Sequence, residues 1–168
     1  GMTEKDNTIS VGLGKIVIAQ SPAVIVAAGV GSCVIVCLYD PETKTGGAAH
    51  IMLPYSKNRP QDRTKPAKFA DTGVETLINR FKKRGIDLSS VEAKLVGGAQ
   101  LFHYYQVPNI GEQNIRVVKS VLRKYNIKVK GSAVGGHSGR SLWFYCDSGR
   151  IVVKDCLLYT SPSPRDRG

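Results

Sequence analysis

No stretch of this sequence stays apolar for anything like the roughly 18 residues that a bilayer-spanning helix needs. No charged-then-apolar leader stands at its N-terminal end, which makes the cytoplasm the expected compartment and membrane insertion unexpected. Its four cysteines form no CxxC pair and no other zinc spacing, so free thiols are expected and neither a metal nor a cofactor is. Aromatics make up only 7% of the residues, and no basic segment carries the interleaved rings that stack on bases. A nucleic-acid partner is therefore not expected, despite a net charge of +11. The glycine loop Gly135-Gly136-His137-Ser138-Gly139-Arg140 lacks the GK[ST] ending and following helix of a phosphate cradle, and reads as a turn. No pair of carboxylates stands out for acid–base work.

What remains is an ordinary globular composition, 42% hydrophobic and 22% charged over 168 residues, enough for one domain with a sizeable core. Residues 1–10 are polar and expected to be flexible, with Gly1 ahead of Met2 reading as a non-native addition. Cys156 to Gly168 share no pattern with the preceding chain and resemble adapter sequence translated in frame, leaving 11–155 as the expected domain. Lys15–Gln20, Ala23–Ala28, Cys33–Tyr39, Ala48–Leu53, Val91–Val96 and Val129–Val134 read as strands. Ser141–Cys146 and Arg150–Lys154 read as a closing hairpin across Asp147-Ser148-Gly149. Val74, Leu77, Ile78 and Phe81 make the apolar stripe of one helix, capped by Asp71 or Thr72 and stopped by Gly85. Ile115, Val118, Leu122 and Tyr125 make that of a second helix, about Gly111 to Tyr125. The fold class is α+β: a layered α/β sandwich with mixed or antiparallel sheets, about seven or more strands and two long helices.

One stretch combines a nucleophile and a base locally. Val30-Gly31-Ser32-Cys33 leads an apolar strand, and His50 follows Cys33 by 17 residues on the expected return strand. Backbone N–H groups of Gly31 and Ser32 are free to form an oxyanion site, and His50 is placed to take a thiol proton. A lone cysteine in an apolar strand is nonetheless most often inert core. If Asp40 pairs with Gly47, a regular hairpin sets Cys37, not Cys33, opposite His50, and leaves Cys33 roughly 14 Å along the strand. Assigning the role to Cys33 requires an irregular chain around Ser32. His103 and His137, both in loops, read as surface residues.

Gly29-Val30-Gly31-Ser32-Cys33, Asp40, and Gly47-Ala48-Ala49-His50-Ile51-Met52-Leu53-Pro54 closely resemble the CheD family of bacterial chemotaxis proteins. Lys68-Phe69-Ala70-Asp71, Gly97-Gly98-Ala99, Asn109-Ile110-Gly111-Glu112-Gln113-Asn114, and Gly135-Gly136 with Gly139-Arg140 follow in the family's order. The resemblance implies a cysteine hydrolase that deamidates selected glutamines on the cytoplasmic domains of methyl-accepting chemoreceptors. It implies Cys33 as nucleophile, His50 as base, and a CheC-type phosphatase as regulatory partner. In two places the chain departs from the family pattern. Ala27 stands where the family often has a threonine that orients the histidine, and Gln113 stands where arginine is usual. The first departure leaves room for a weakly active or inactive module that binds receptors or the CheC-type partner.

Overall fold

The computed structural model describes residues 7–101 and 109–156. Among them are nine strands and two helices. In chain order these are β1 (Thr8–Ser10), β2 (Ile16–Gln20), β3 (Val24–Val30), β4 (Val34–Asp40), β5 (Thr45–Ile51), α1 (Ala70–Lys83), β6 (Glu92–Gly97), α2 (Ile110–Lys124), β7 (Val129–Val134), β8 (Gly139–Tyr145) and β9 (Ile151–Cys156). The strands make a five-stranded sheet, β2-β5-β4-β6-β7, and a four-stranded sheet, β1-β3-β8-β9. Pairs β1/β3 and β6/β7 are parallel and the others antiparallel. The expected mixed α+β sandwich is what the chain forms.

Strand β4 is the centre of the molecule, and every one of its residues is buried. Its pleat sends Val34, Val36 and Leu38 toward Leu77, Ile78 and Phe81 of α1 and Val118 and Leu122 of α2. Ile35, Cys37 and Tyr39 point the other way, into a second core with Ile25, Leu142, Phe144 and Cys146 from the four-stranded sheet. An all-apolar run is what a strand covered on both faces requires. The result is three layers, with helices, the five-stranded sheet and the four-stranded sheet stacked in that order.

The structure corrects five sequence expectations. The β4–β5 hairpin pairs Asp40 with Thr45, so His50 stands opposite Ile35, and Cys37 stands opposite Ala48. The chain turns through residues 41–44, with Lys44 at φ +52° and the Thr43 hydroxyl donating to Asp40 Oδ2 at 2.6 Å. Gly46 and Gly47 both lie in β5, where a Cβ would come within 2.8 Å of Cys146 Sγ and 2.5 Å of Phe81 Cε1 respectively. At α1 the N-cap is Phe69, with no side-chain cap; Asp71, one residue into the helix, instead accepts from the Ser56 backbone N–H at 3.1 Å. In α2 the buried stripe is Gly111, Asn114, Val117, Val118 and Leu122, so Asn114 takes an inward position while Ile115 and Tyr125 flank it. Lastly, Thr8–Ser10, inside the stretch expected to be flexible, pairs with β3 as an edge strand. At the other end β9 runs through Cys156, which pairs with Gly139. No helix among the described residues is long and apolar enough to cross a membrane.

Candidate active site

Strand β3 loses its regular register against β8 between Ala27 and Val30, with Gly29 at φ +62°. Only a residue without a Cβ takes that conformation freely. The chain then bends through residues 31–33 before β4 begins. The irregularity expected around Ser32 is therefore present, and it leaves Cys33 half-buried at the head of β4. Three successive carbonyls of this bend are tied down. Gly31 O accepts from the Ala99 N–H at 2.9 Å and Cys33 O from the Gly98 N–H at 2.7 Å. Ser32 O accepts from the Asn114 side-chain amide at 3.0 Å.

His50 is the sixth residue of β5, buried, on the same face as Ile35 and Cys33. Its backbone is fixed by the turn before β2, donating to Lys15 O at 3.0 Å and accepting from the Gly14 N–H at 2.9 Å. Its ring is fixed by Nδ1, which lies 2.9 Å from the Val11 carbonyl. A carbonyl only accepts, so Nδ1 carries the proton and Nε2 carries the lone pair. Val11 is itself anchored through its N–H to Val26 O at 2.9 Å. Nε2 is buried without a hydrogen-bond partner among the described residues. Burial pushes the His50 pKa below its ordinary value of 6.5, against a smaller opposing pull from the Val11 carbonyl. The ring is thus neutral near pH 7, as a base must be.

Cys33 and His50 both line a cavity of about 620 Å³ whose walls come from β1, β3, β8 and the residues around Leu13. Its other lining residues include Val11, Ala27, Gly31, Ser141 and Trp143, and among the described residues none is Lys, Arg, Asp or Glu. Such a site suits a neutral polar group. Partial burial raises the Cys33 pKa from 9.0. The resting pair is therefore thiol and imidazole, and no hydrogen bond joins them among the described residues.

Of the residues singled out from the sequence, Cys33, His50, Gly31 and Ala27 meet at this cavity, and Ser32 lies in the bend beside it. Ala27 is a nearly buried wall residue with no group to orient a ring. Cys37 is fully enclosed in the second core, and burial drives its pKa far above the ordinary thiol range. His137 is exposed, its ring on the Gln100 carbonyl. His103 lies outside the described residues. The Gly135-Gly136 turn is closed by Arg140, which donates to Gly135 O at 2.9 Å, so those carbonyls brace the turn. Sequence reasoning missed Val11 and Asn114. A backbone carbonyl 39 residues from its histidine leaves no trace in residue identity. Asn114 was visible within a motif, and its inward helical phase against Val118 and Leu122 was the available signal.

The family model described as CheD chemotactic sensory transduction matches residues 52–155. Curated relatives extend further. "Probable chemoreceptor glutamine deamidase CheD" of Caldanaerobacter subterraneus subsp. tengcongensis is 42% identical over 87% of this chain and 91% of its own. "Chemoreceptor glutamine deamidase CheD" of Thermotoga maritima is 40% identical over 86% and 89%. A "probable" deamidase of the same name from Archaeoglobus fulgidus is 38% identical over 87% and 92%.

Proposed function

The chain belongs to the CheD family, and from that premise we propose that it hydrolyses glutamine side chains of chemoreceptors to glutamates, with Cys33 as nucleophile and His50 as base. The observation that carries this reading is the shared cavity. Among the described residues it holds one thiol and one imidazole whose Nε2 is unpartnered, inside walls without a charged side chain.

The reaction proceeds by thiol covalent catalysis. A glutamine side chain enters with its amide carbon against Cys33 Sγ. His50 Nε2 takes the thiol proton as sulfur attacks that carbon, and the carbonyl oxygen gains the negative charge. The imidazolium then protonates the amide nitrogen, the C–N bond breaks, and ammonia leaves a thioester on Cys33. A water molecule gives its proton to His50 and attacks the thioester carbon. The C–S bond breaks, sulfur recovers the proton, and glutamate is released. The described walls carry no charged side chain, which suits a neutral amide. Because thiol and imidazole are both neutral at rest, proton transfer belongs to the attack itself.

Val11 fills the orienting role that Ala27 does not, and this supports turnover over binding alone. The same reading carries a single domain that takes in β1 and β9, a cytoplasmic setting and a CheC-type phosphatase as regulatory partner. The test is incubation of the protein, Cys33→Ala and Cys37→Ala with receptor cytoplasmic fragments, followed by mass analysis. Gln-to-Glu conversion by the protein and by Cys37→Ala, but not by Cys33→Ala, is expected. No conversion by the unmodified protein overturns the activity, and conversion by Cys33→Ala overturns the nucleophile.

A further inference from the structure

We infer that Asn114 is a positioning residue for the reaction, holding the Ser32–Cys33 peptide so that the Cys33 N–H serves as an oxyanion donor. The inference rests on the proposed role of Cys33.

Asn114 lies in the second turn of α2 and is completely buried. Its Nδ2 donates to two carbonyls from different parts of the site, Ser32 O at 3.0 Å and Met52 O at 3.1 Å. Ser32 immediately precedes the nucleophile, and Met52 follows the base by two residues. One amide group therefore links the bend carrying the thiol to the strand end carrying the imidazole. The orientation of the amide is not ambiguous, since both neighbours are acceptors and only the NH2 end can face them. Its Oδ1 is left buried without a partner among the described residues. An unpaired buried acceptor is costly, so an amide kept here is kept for its donors.

In a trans peptide the C=O and N–H point in opposite directions. Drawing Ser32 O toward α2 turns the Cys33 N–H away from the helices, toward the side of the sheet where the cavity lies. The carbonyls of Gly31 and Cys33 are held by Ala99 and Gly98. Among the described residues no acceptor takes the N–H of Gly31, Ser32 or Cys33. A bend whose three carbonyls are engaged, and whose N–H groups are unclaimed among the described residues, can offer those groups to negative charge on a carbonyl oxygen. The nucleophile's own N–H is the one that must lie closest to the attacked carbon.

The test compares Asn114→Ala and the near-isosteric Asn114→Asp with Asn109→Ala and Cys33→Ala. Asn109 caps the same helix through Glu112 N and touches neither carbonyl, so it controls for loss of helix stability. Three quantities are read: kcat and KM on a receptor fragment, the Cys33 alkylation rate with iodoacetamide, and Tm. Displacement of iodide by sulfur places no charge on a carbonyl oxygen, so alkylation needs the thiol and not the donor. The expected result for both Asn114 variants is a kcat loss of about 100-fold. KM and the alkylation rate stay within about threefold, and Asn109→Ala lowers Tm with little change in kcat. Alkylation falling in step with kcat, or a kcat loss no larger than that of Asn109→Ala, overturns the inference. Full activity in Asn114→Ala with none in Cys33→Ala overturns this inference alone, whereas activity in Cys33→Ala overturns the nucleophile reading beneath it. A measurement on the unmodified protein covers failure of the variants to fold. Butanal, a short aldehyde, adds reversibly to thiols, and its hemithioacetal oxygen would sit on the donor. The Cys33 amide proton is expected to move downfield on its addition, and an unmoved amide overturns the inference.

Discussion

Cys33 and Cys37 stand four residues apart on the same side of one strand line, and their surroundings decide what each can do. Cys37 lies within a regular ladder, between β5 and β6, with its side chain in a closed core. Cys33 lies where that ladder has not yet begun, beyond a bulge and a bend, with its side chain at a cavity. Burial raises the pKa of both thiols, far more for Cys37. What separates them is access and unclaimed backbone. A strand interior uses its N–H groups in pairing, whereas a strand head can offer them to a substrate. The proposed nucleophile is the cysteine that stands where regular structure stops.

The comparison is broken most severely by exchanging the thiols. Cys33→Ala is expected to abolish deamidation, a loss of at least about 1,000-fold, because among the described residues no other cysteine lines the cavity. Cys37→Ala is expected to keep kcat within about threefold while lowering stability by ~1 kcal/mol, as a core truncation does. Paired turnover and denaturant-melt measurements check both.

His50→Ala comes next, with an expected kcat loss of about 100- to 1,000-fold from removal of the base. Its readout is the rate of ammonia release with the Cys33 thiol still present, as verified by alkylation. If His50→Ala falls less than tenfold, proton transfer is not in His50's hands.

A smaller effect is expected from pH. The acid limb of kcat/KM should have its midpoint below 6.5, because burial holds the His50 pKa under that value. Stability carries the same signature. The unfolded chain accepts a proton near pH 6.5 that the folded ring resists, so stability present above 6.5 is lost as pH falls toward the folded pKa. His50→Gln should flatten that part of the stability–pH curve. The Cys33 alkylation rate should keep rising through pH 9.0, since its thiol ionises above that value.

The smallest effect is expected from Ala27→Thr. The Val11 carbonyl already fixes the tautomer of His50, so restoring the hydroxyl is expected to change kcat by less than about tenfold. A larger gain would show that the Val11 contact orients the ring poorly.

The layers, the buried strand β4 and both helices were legible because apolar periodicity reports them directly. The pairing register was not. Setting Asp40 against Gly47 leaves Thr45 and Gly46 in the loop, yet both are in β5, where Gly46 and Gly47 let Phe81, Phe144 and Cys146 approach. That approach depends on elements far along the chain, so the local reading placed the register two residues off and set Cys37 against His50. The proposal of Cys33 rests on the Gly-rich approach and the family resemblance. Its physical basis, the bulge at Ala27 and Val30, was only an inference from conflict between the two. The group orienting His50 was not legible, since the missing threonine is replaced by main chain that any residue at position 11 would supply.

The most direct measurement of the central claim is the site of covalent capture by an electrophilic glutamine mimic. A peptide bearing a chloromethyl ketone in place of the side-chain amide is incubated with the folded protein, which is then digested and mapped. A single adduct on Cys33, slowed by competing receptor fragment and coincident with loss of deamidation, is the predicted result. An adduct on Cys37, or loss of activity with Cys33 unmodified, would contradict it.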